Sequence, residues 1–350
     1  MNSLIDCKED IHSCSKCGLC QSVCPVYKVT GNDCTVSRGH FIMLRGLLKG
    51  ELKMSKTINR YLDLCLKCGA CNKFCPSAID VVEIVAFAKA EYFNKSHFQK
   101  FISFLQKNIV FGLGLKFLSL FSNKAESKKF EKKVVFFGGC KNKLSGNSAV
   151  VKILNNCNIE VITPDFDCCG MPYFVRGDMK NFQNCMDSFF EKLKATGIYE
   201  VVTTCASCEK NLKSYLKYSE HKDFSVKNIF EYMRENNFST ELKKRTKVTF
   251  HKPCNIDNYD DIKYILKHVK NLEYIEMQDY DKCCGLNGIL NFSEYKILKN
   301  IFLQKRNNII FSEAKTVLTS CLGCEFALQA FSFGKYKVED LIEFLGRNIK

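Results

Sequence analysis

No Gly-x-Gly-x-x-Gly follows a predicted strand, and no Walker A loop occurs, so the chain offers no dinucleotide site and no phosphate cradle of that kind. The nearest approach, Gly112-Leu-Gly114, lacks the third glycine and sits in an apolar segment. No serine or cysteine triad is evident. Zinc-finger, RRM and helix-turn-helix signatures are missing as well. A net charge of +15 is therefore not read as nucleic-acid binding, because lysine, asparagine and phenylalanine are spread along the whole sequence. Met1-Asn-Ser-Leu-Ile-Asp6 has neither a basic n-region nor an apolar h-region, which predicts a cytoplasmic rather than a secreted chain. The most apolar stretch, residues 98–121, is interrupted by Lys100, Lys107 and Lys116 and is not expected to span a membrane.

Cysteine is abundant: 22 of 350 residues. In a reducing compartment such thiols read as metal ligands rather than bridges. Cys14-x-x-Cys17-x-x-Cys20-x-x-x-Cys24-Pro25 is answered by Cys65-x-x-Cys68-x-x-Cys71-x-x-x-Cys75-Pro76. This is the spacing of two-cluster ferredoxins, in which three close cysteines hold one cubane and the fourth ligates the other. It predicts one [4Fe–4S] cluster on Cys14, Cys17, Cys20 and Cys75, and a second on Cys65, Cys68, Cys71 and Cys24. The proline ends each turn without requiring a partner for a backbone N–H that it lacks. Structural zinc usually takes two CxxC pairs, and two runs of four cysteines ending in Cys-Pro disfavour it. Each loaded cubane with its thiolates carries about −2, which offsets part of the positive charge.

The chain is long enough for two or three domains, and its 46% hydrophobic and 25% charged residues are those of a globular protein. The 40 residues between the motifs (25–64) carry a helical pattern through Phe41, Ile42, Leu44, Leu47 and Leu48. That length suits an α-helical dicluster domain over 1–97, with a further helix from Ile79 to Phe93. Residues 98–133 form an apolar helix and basic linker with eight lysines and two glutamates, a net of +6. A core helix followed by a linker is the favoured reading; an apolar face lying on an anionic membrane surface is the alternative.

Beyond residue 133 the chain repeats at an offset of 112 to 116 residues. Lys133–Cys140 and Lys247–Cys254 each read as a strand delivering a cysteine. Glu160-Val-Ile-Thr-Pro and Leu272-Glu-Tyr-Ile-Glu are second strands, leading to Cys168-Cys169-Gly170 and Cys283-Cys284-Gly285. A helix follows in each. Third strands end in Cys205-x-x-Cys208 and Cys321-x-x-Cys324, and the tails Val226–Met233 and Val338–Leu345 also match. Two α/β domains with mainly parallel sheets are expected, over 134–247 and 248–350, with ligands at the strands' C-terminal ends. Glycine after each double cysteine permits a tight turn beside a bulky group. Spacing alone gives two further metal centres of unresolved type: Cys140, Cys168, Cys169, Cys205 and Cys208 in the first, and Cys254, Cys283, Cys284, Cys321 and Cys324 in the second.

The doubled C-x(n)-CCG-x(n)-CxxC pattern resembles the cysteine-rich "CCG" domains found in the B and D components of heterodisulfide reductase. Joined to a dicluster ferredoxin, the whole chain is similar to the iron–sulfur subunit of glycolate oxidase. The C component of anaerobic glycerol-3-phosphate dehydrogenase and the lactate-utilisation proteins are related. Ser37-Arg38-Gly39-His40 with Met43 and Leu44 is similar to that family's Pro-Arg-Gly-Arg stretch, with serine in place of proline. Tyr61-Leu62-Asp63-Leu64-Cys65-Leu66-Lys67-Cys68 and Cys75-Pro76-Ser77 match its second motif.

The resemblance implies an iron–sulfur electron-transfer subunit of a flavin-dependent 2-hydroxyacid (glycolate- or lactate-type) oxidase complex. It implies a FAD-containing dehydrogenase partner, with no FAD or NAD site on this chain, and quinone as acceptor. It implies one or two non-cubane iron–sulfur centres in the CCG domains, with zinc the alternative there. A location in the cytoplasm, or peripheral on the inner face of the membrane, follows. A thiol–disulfide reductase of heterodisulfide-reductase type is the rival activity. A membrane-associated carrier like the C component of glycerol-3-phosphate dehydrogenase is a further one. Cys7, Cys34, Cys157 and Cys185 fall outside all motifs; Cys157 and Cys185 are expected to be buried apolar residues. His251, three residues before Cys254, is expected to be structural rather than a ligand.

Overall fold

A computed structural model describes residues 3–108, 114, 117, 119, 120, 122–256, 258–286 and 294–349. In the 98–121 segment residues 109–113, 115, 116, 118 and 121, and with them Gly112, Leu113 and Lys116, lie outside the described residues. So does the start of the connection after the second double cysteine, residues 287–293, ahead of the helix Tyr295–Phe311. The chain divides into two compact units.

The first comprises Met1–Phe104, Pro172–Phe182 and Lys282–Lys305. Its N-terminal part is helical throughout, as the patterning predicts. Helices Pro25–Thr30, Ser37–Leu48 and Lys56–Leu64 fill the interval between the cysteine motifs. The first starts with proline at its first position, where the missing N–H costs nothing. Ser55 caps the third by accepting from the Ile58 N–H at 3.3 Å. The helix Val81–Lys95 is capped by Asp80, which accepts from the N–H groups of Val82 and Glu83. Val81, Val82, Ile84, Val85 and Phe87 are all buried, so this helix is enclosed rather than one-sided. Phe87 packs edge-on against Phe174.

The second unit comprises Leu105–Met171, Gln183–Asp281 and Arg306–Lys350. It contains two four-stranded sheets, all of whose pairings are parallel. In the first, β1 (Lys132–Phe136), β2 (Ile159–Ile162), β3 (Glu200–Thr203) and β4 (Ser225–Asn228) lie in the order β2-β1-β3-β4. In the second, β5 (Thr240–Phe250), β6 (Val269–Tyr274), β7 (Thr316–Thr319) and β8 (Lys337–Asp340) lie in the order β6-β5-β7-β8. Val134, Val135, Val201 and Val202 are fully buried, the mark of strands covered on both faces. β5 begins at Thr240, earlier than the expected Lys247, and its pairing with β6 is irregular between Glu241 and Thr246. The polar run Thr240–Thr246 hides that extension from pattern; buried Leu242, bridged to Ile349, anchors it.

The two repeats share one core. Helix Ser148–Asn156 packs on helix Leu341–Asn348, and helix Ile229–Glu235 on Asp260–His268, so in each repeat a helix between its first two strands meets the other's last helix. A Cβ on Gly346 would stand 2.5 Å from the Ala149 Cβ, so glycine lets the first of these pairs close. Among the described residues no helix is long and apolar enough to cross a membrane.

Candidate metal centres

In the first unit each cysteine loop curls through two left-handed residues. Lys16 and Gly18 have φ of 61° and 84°, and Lys67 and Gly69 have 51° and 69°. Successive left-handed turns aim backbone N–H groups inward and make a concavity for anions. Cys24, Cys65, Cys68 and Cys71 line one cavity, with His40, Val81 and Leu66 among its walls. Cys24, the residue that sequence order places with the other motif, thus faces the second trio. Its sulfur also caps its own helix, accepting from the Tyr27 N–H at 3.5 Å. Burial pushes the Cys24 thiol up to about 12, with Cys65 and Cys68 adding to it against the Tyr27 N–H. Burial raises Cys65 and Cys71 too. Thiols that resist ionisation when apposed are what a cationic cluster stabilises as thiolates, so this donor set fits an iron–sulfur group.

The surroundings are polar but paired. Lys89 bonds the Asp63 carboxylate at 2.6 Å and donates to the Val175 carbonyl at 2.8 Å. Burial opposes the Asp63 charge, yet Lys89 and Lys67 hold its carboxyl below the ordinary range. The other quartet is more open: Cys17 is exposed, while Cys14, Cys20 and Cys75 are half-buried. The Arg45 guanidinium fixes its first turn, donating to the carbonyls of Ile11, His12 and Cys14 at 3.1, 3.2 and 2.7 Å. The Ser77 hydroxyl donates to the Ser13 carbonyl at 3.0 Å, drawing the Cys75 end to the Cys14 end.

In the second unit the first repeat's cysteines gather at the C-terminal ends of its strands. Cys205, separated by one residue from the end of β3 at Thr203, is the N-cap of the helix Ala206–Tyr218, whose first turn carries Cys208. Gly170, at φ 82°, turns its N–H back to the Cys168 sulfur at 3.4 Å; a side chain would be strained there. The Cys169 carbonyl accepts from Asn211 and from the Tyr215 hydroxyl, the latter at 2.7 Å. Cys168 and Cys208 hydrogen-bond to the Cys169 sulfur and hold that thiol well below its usual value. Burial pushes Cys140 up to about 12, and Cys169, Cys205 and Cys321 add to it.

Cys321 belongs to the other repeat. It begins the helix Leu322–Ala330 as Cys205 begins its own, and the Cys205 and Cys324 thiols both hydrogen-bond to its sulfur, holding it low. The Ser207 hydroxyl lies 3.4 Å from that sulfur and accepts from Asn255 at 3.0 Å. The Ala206 N–H donates to the Ser320 carbonyl at 3.0 Å. The two CxxC motifs therefore meet, tied by the Ser207–Cys321 and Ala206–Ser320 contacts, with the Cys205 and Cys321 thiols close to each other. Spacing does not reveal this joining of the sets. Cys254 is half-buried in the same unit; Cys283 and Cys284 belong to the other unit and are buried. Gly285, at φ 91°, directs its N–H to the Cys283 sulfur at 3.4 Å, repeating the Gly170 turn.

Two expectations are corrected. Cys157 and Cys185 are half-buried rather than buried. Cys185 lies close enough to Cys168 to raise its thiol further, though the repeat offset of 115 to 116 residues gives Asn300 or Ile301 in the second repeat, so duplication gave no signal for it. His251 occupies the place of Phe137: the two N–H groups donate to Leu318 and Val202 carbonyls, each at 2.8 Å.

A 4Fe-4S dicluster domain matches residues 10–79, and a cysteine-rich CCG domain matches twice, at 134–213 and 248–329. The chain is a dicluster ferredoxin joined to two CCG domains. An uncharacterised iron–sulfur protein of Methanococcus maripaludis is 27% identical over 94% of this chain and 69% of its own length. A probable glycolate oxidase iron–sulfur subunit of Bacillus subtilis is 25% identical, covering 90% of this chain and 87% of the relative. The D component of the dihydromethanophenazine:CoB–CoM heterodisulfide reductase of Methanosarcina mazei is 22% identical over 96% and 93%. The last two of these relatives are named as iron–sulfur or heterodisulfide reductase subunits, and the chain shares with them the dicluster-plus-CCG organisation.

Proposed function

We propose that the chain is the electron-transfer subunit of a flavin-dependent 2-hydroxyacid oxidase complex of glycolate or lactate type. Electrons enter from a FAD-bearing partner and leave toward quinone. The observation that carries this is the union of a dicluster domain with two apposed CxxC motifs on a polypeptide without a dinucleotide motif. The chain supplies cluster sites and no flavin fingerprint, so substrate oxidation falls to another polypeptide. Cys14, Cys17, Cys20 and Cys75 hold one cubane; Cys24, Cys65, Cys68 and Cys71 hold the other. The CCG sets hold non-cubane iron–sulfur centres. Nearby hydrogen bonds and burial set their potentials. The exposed rings of Phe98, Phe101 and Phe104, with exposed Lys100 among them, support peripheral contact with an anionic membrane where quinone resides.

Anaerobic purification from the native cell tests the reading. A flavoprotein should follow the chain, with iron and sulfide sufficient for more than two cubanes. A chain that emerges without flavin would sink it.

A second reading, thiol–disulfide reduction, is favoured by one observation: the two CxxC motifs meet at Cys205 and Cys321. Reduced viologen offered with organic disulfides, and separately with a quinone analogue, separates the two. Turnover of disulfide alone selects the second.

A further inference from the structure

The two cysteine loops of the dicluster domain share a backbone course but not an environment. Leu66 and Lys67, the spacers between Cys65 and Cys68, are each 8% exposed. Their counterparts Ser15 and Lys16 are exposed, as is Cys17 itself. Apolar side chains stand open beside the same ligand set: Leu19, next to Cys20, is 49% exposed, and Phe74, next to Cys75, is 56% exposed. Short helices Leu19–Val23 and Ala70–Lys73 pack together, so the two segments bearing these side chains are neighbours. The stretches 14–24 and 65–77 contain three lysines and no carboxylate, and of these Lys16 and Lys73 are exposed.

We propose that this face, formed by Lys16, Cys17, Leu19, Lys73 and Phe74, is the docking surface for a flavoprotein redox partner whose flavin edge is ringed by carboxylates. The inference rests on the electron-carrier reading above. It adds a direction: the quartet that contains exposed Cys17 exchanges electrons with the partner, and the other quartet passes them within the chain. Exposed phenyl and leucyl groups supply contact area that gains by leaving water. The lysines steer an acidic surface and fix its orientation, and the neighbouring carboxylates are already engaged, Asp33 by Gln21 and Arg38 and Asp80 by Asn72 and the N–H groups it caps, which limits the like-charge cost on that partner. A surface-exposed ligand thiolate also leaves little protein between a docked flavin and the cluster.

The probe is oxidised flavodoxin, a small acidic flavoprotein, titrated onto the cluster-loaded chain so that binding is read with no electron moving. The expected result is a Kd at low salt that weakens at least tenfold in Lys16→Glu/Lys73→Glu, with a smaller dependence on ionic strength. Phe74→Ser should weaken binding while keeping the salt dependence. Iron and sulfide content, unchanged in all variants, confirms that the loops still fold; Lys73→Glu alone, on a helix away from any strained backbone, repeats the test. Lys270→Glu, a reversal of an exposed lysine in the other unit, should leave Kd within twofold. The proposal is overturned if flavodoxin does not bind, if the dicluster variants leave Kd unchanged, or if Lys270→Glu weakens binding as much. None of these outcomes bears on whether a flavoprotein co-purifies, so the two readings fail separately.

Discussion

The Cys205 and Cys321 thiols, 116 residues apart, lie close enough to shift each other's ionisation where the two CCG repeats meet. Each follows the third strand of its own sheet and opens the next helix. Parallel α/β repeats put their chemistry at the strands' C-terminal ends, and packing the repeats on one core brings those two ends together. The centres proposed for the two CCG cysteine sets are therefore expected to be coupled. Cys205→Ala should disturb the reduced-state spectra and iron content assigned to both repeats. Cys169→Ala or Cys284→Ala should remove the centre of one repeat and leave both cubane EPR signals in place. An unchanged second-repeat signal in Cys205→Ala would show the centres to be independent.

Lys141 and Asp340 form an ion pair across the repeats, and both side chains are nearly inaccessible. Asp340 does double duty, accepting from the Ile342 and Glu343 N–H groups at 2.9 and 3.2 Å to cap helix Leu341–Asn348. Asp340→Asn keeps an oxygen for the cap but leaves the Lys141 ammonium buried without its closest counter-charge. Breaking one partner of such a pair costs about 3–5 kcal/mol, so a drop of several degrees in Tm is expected. Lys141→Met combined with Asp340→Asn should recover most of it. Asp340→Ala should lose about 1 kcal/mol more through the cap. If the double variant is no more stable than Asp340→Asn, charge burial is not the cause.

Gly39 sits in the Ser37-Arg38-Gly39-His40 stretch, and a Cβ there would lie 2.0 Å from the Asp33 carbonyl oxygen. Backbone cannot yield as a flexible side chain does, so the helix Ser37–Leu48 would have to move. That helix carries Arg45, which fixes the Cys14 turn. Gly39→Ala is expected to cost about 2–3 kcal/mol, the range for overpacking, despite alanine's better helix propensity. Chemical denaturation of the anaerobically loaded chain measures it; a neutral or stabilising outcome contradicts the close approach.

Much of this was legible because it is periodic or spaced. Parallel strands buried on both faces read as short apolar runs, as in Val134–Phe136 and Thr316–Thr319, and each announced its cysteine. The helical interval between the ferredoxin motifs followed from Phe41, Leu44 and Leu48. What pattern could not carry was long-range packing. Nothing local says that Cys205 meets Cys321, that Cys185 approaches Cys168, or that Gly346 nests on Ala149. The first and last follow from the reciprocal packing of two repeats, and the second from the return of helix Met179–Thr196 within one repeat, neither of which single-segment patterns encode. The early start of β5 was hidden because its residues are charged.

The crossed arrangement of the dicluster domain makes the sharpest distinction between neighbours in sequence. Cys20 and Cys24 lie four residues apart, at either end of the five-residue helix Leu19–Val23. Cys24 lines the cavity of Cys65, Cys68 and Cys71, and its thiol responds to the charges of Cys65 and Cys68. A Cys24→Ala chain should consequently lose or convert the cluster held by the second trio, with loss of one iron as the mildest result. The cluster of Cys14, Cys17 and Cys20 should persist. Cys75→Ala should do the converse, and Cys20→Ala should match Cys75→Ala rather than Cys24→Ala. EPR of the reduced single variants, with iron counted per chain, reads these pairs directly. Should Cys24→Ala and Cys20→Ala abolish the same signal, each motif holds its own four-cysteine cluster and the crossed assignment is wrong.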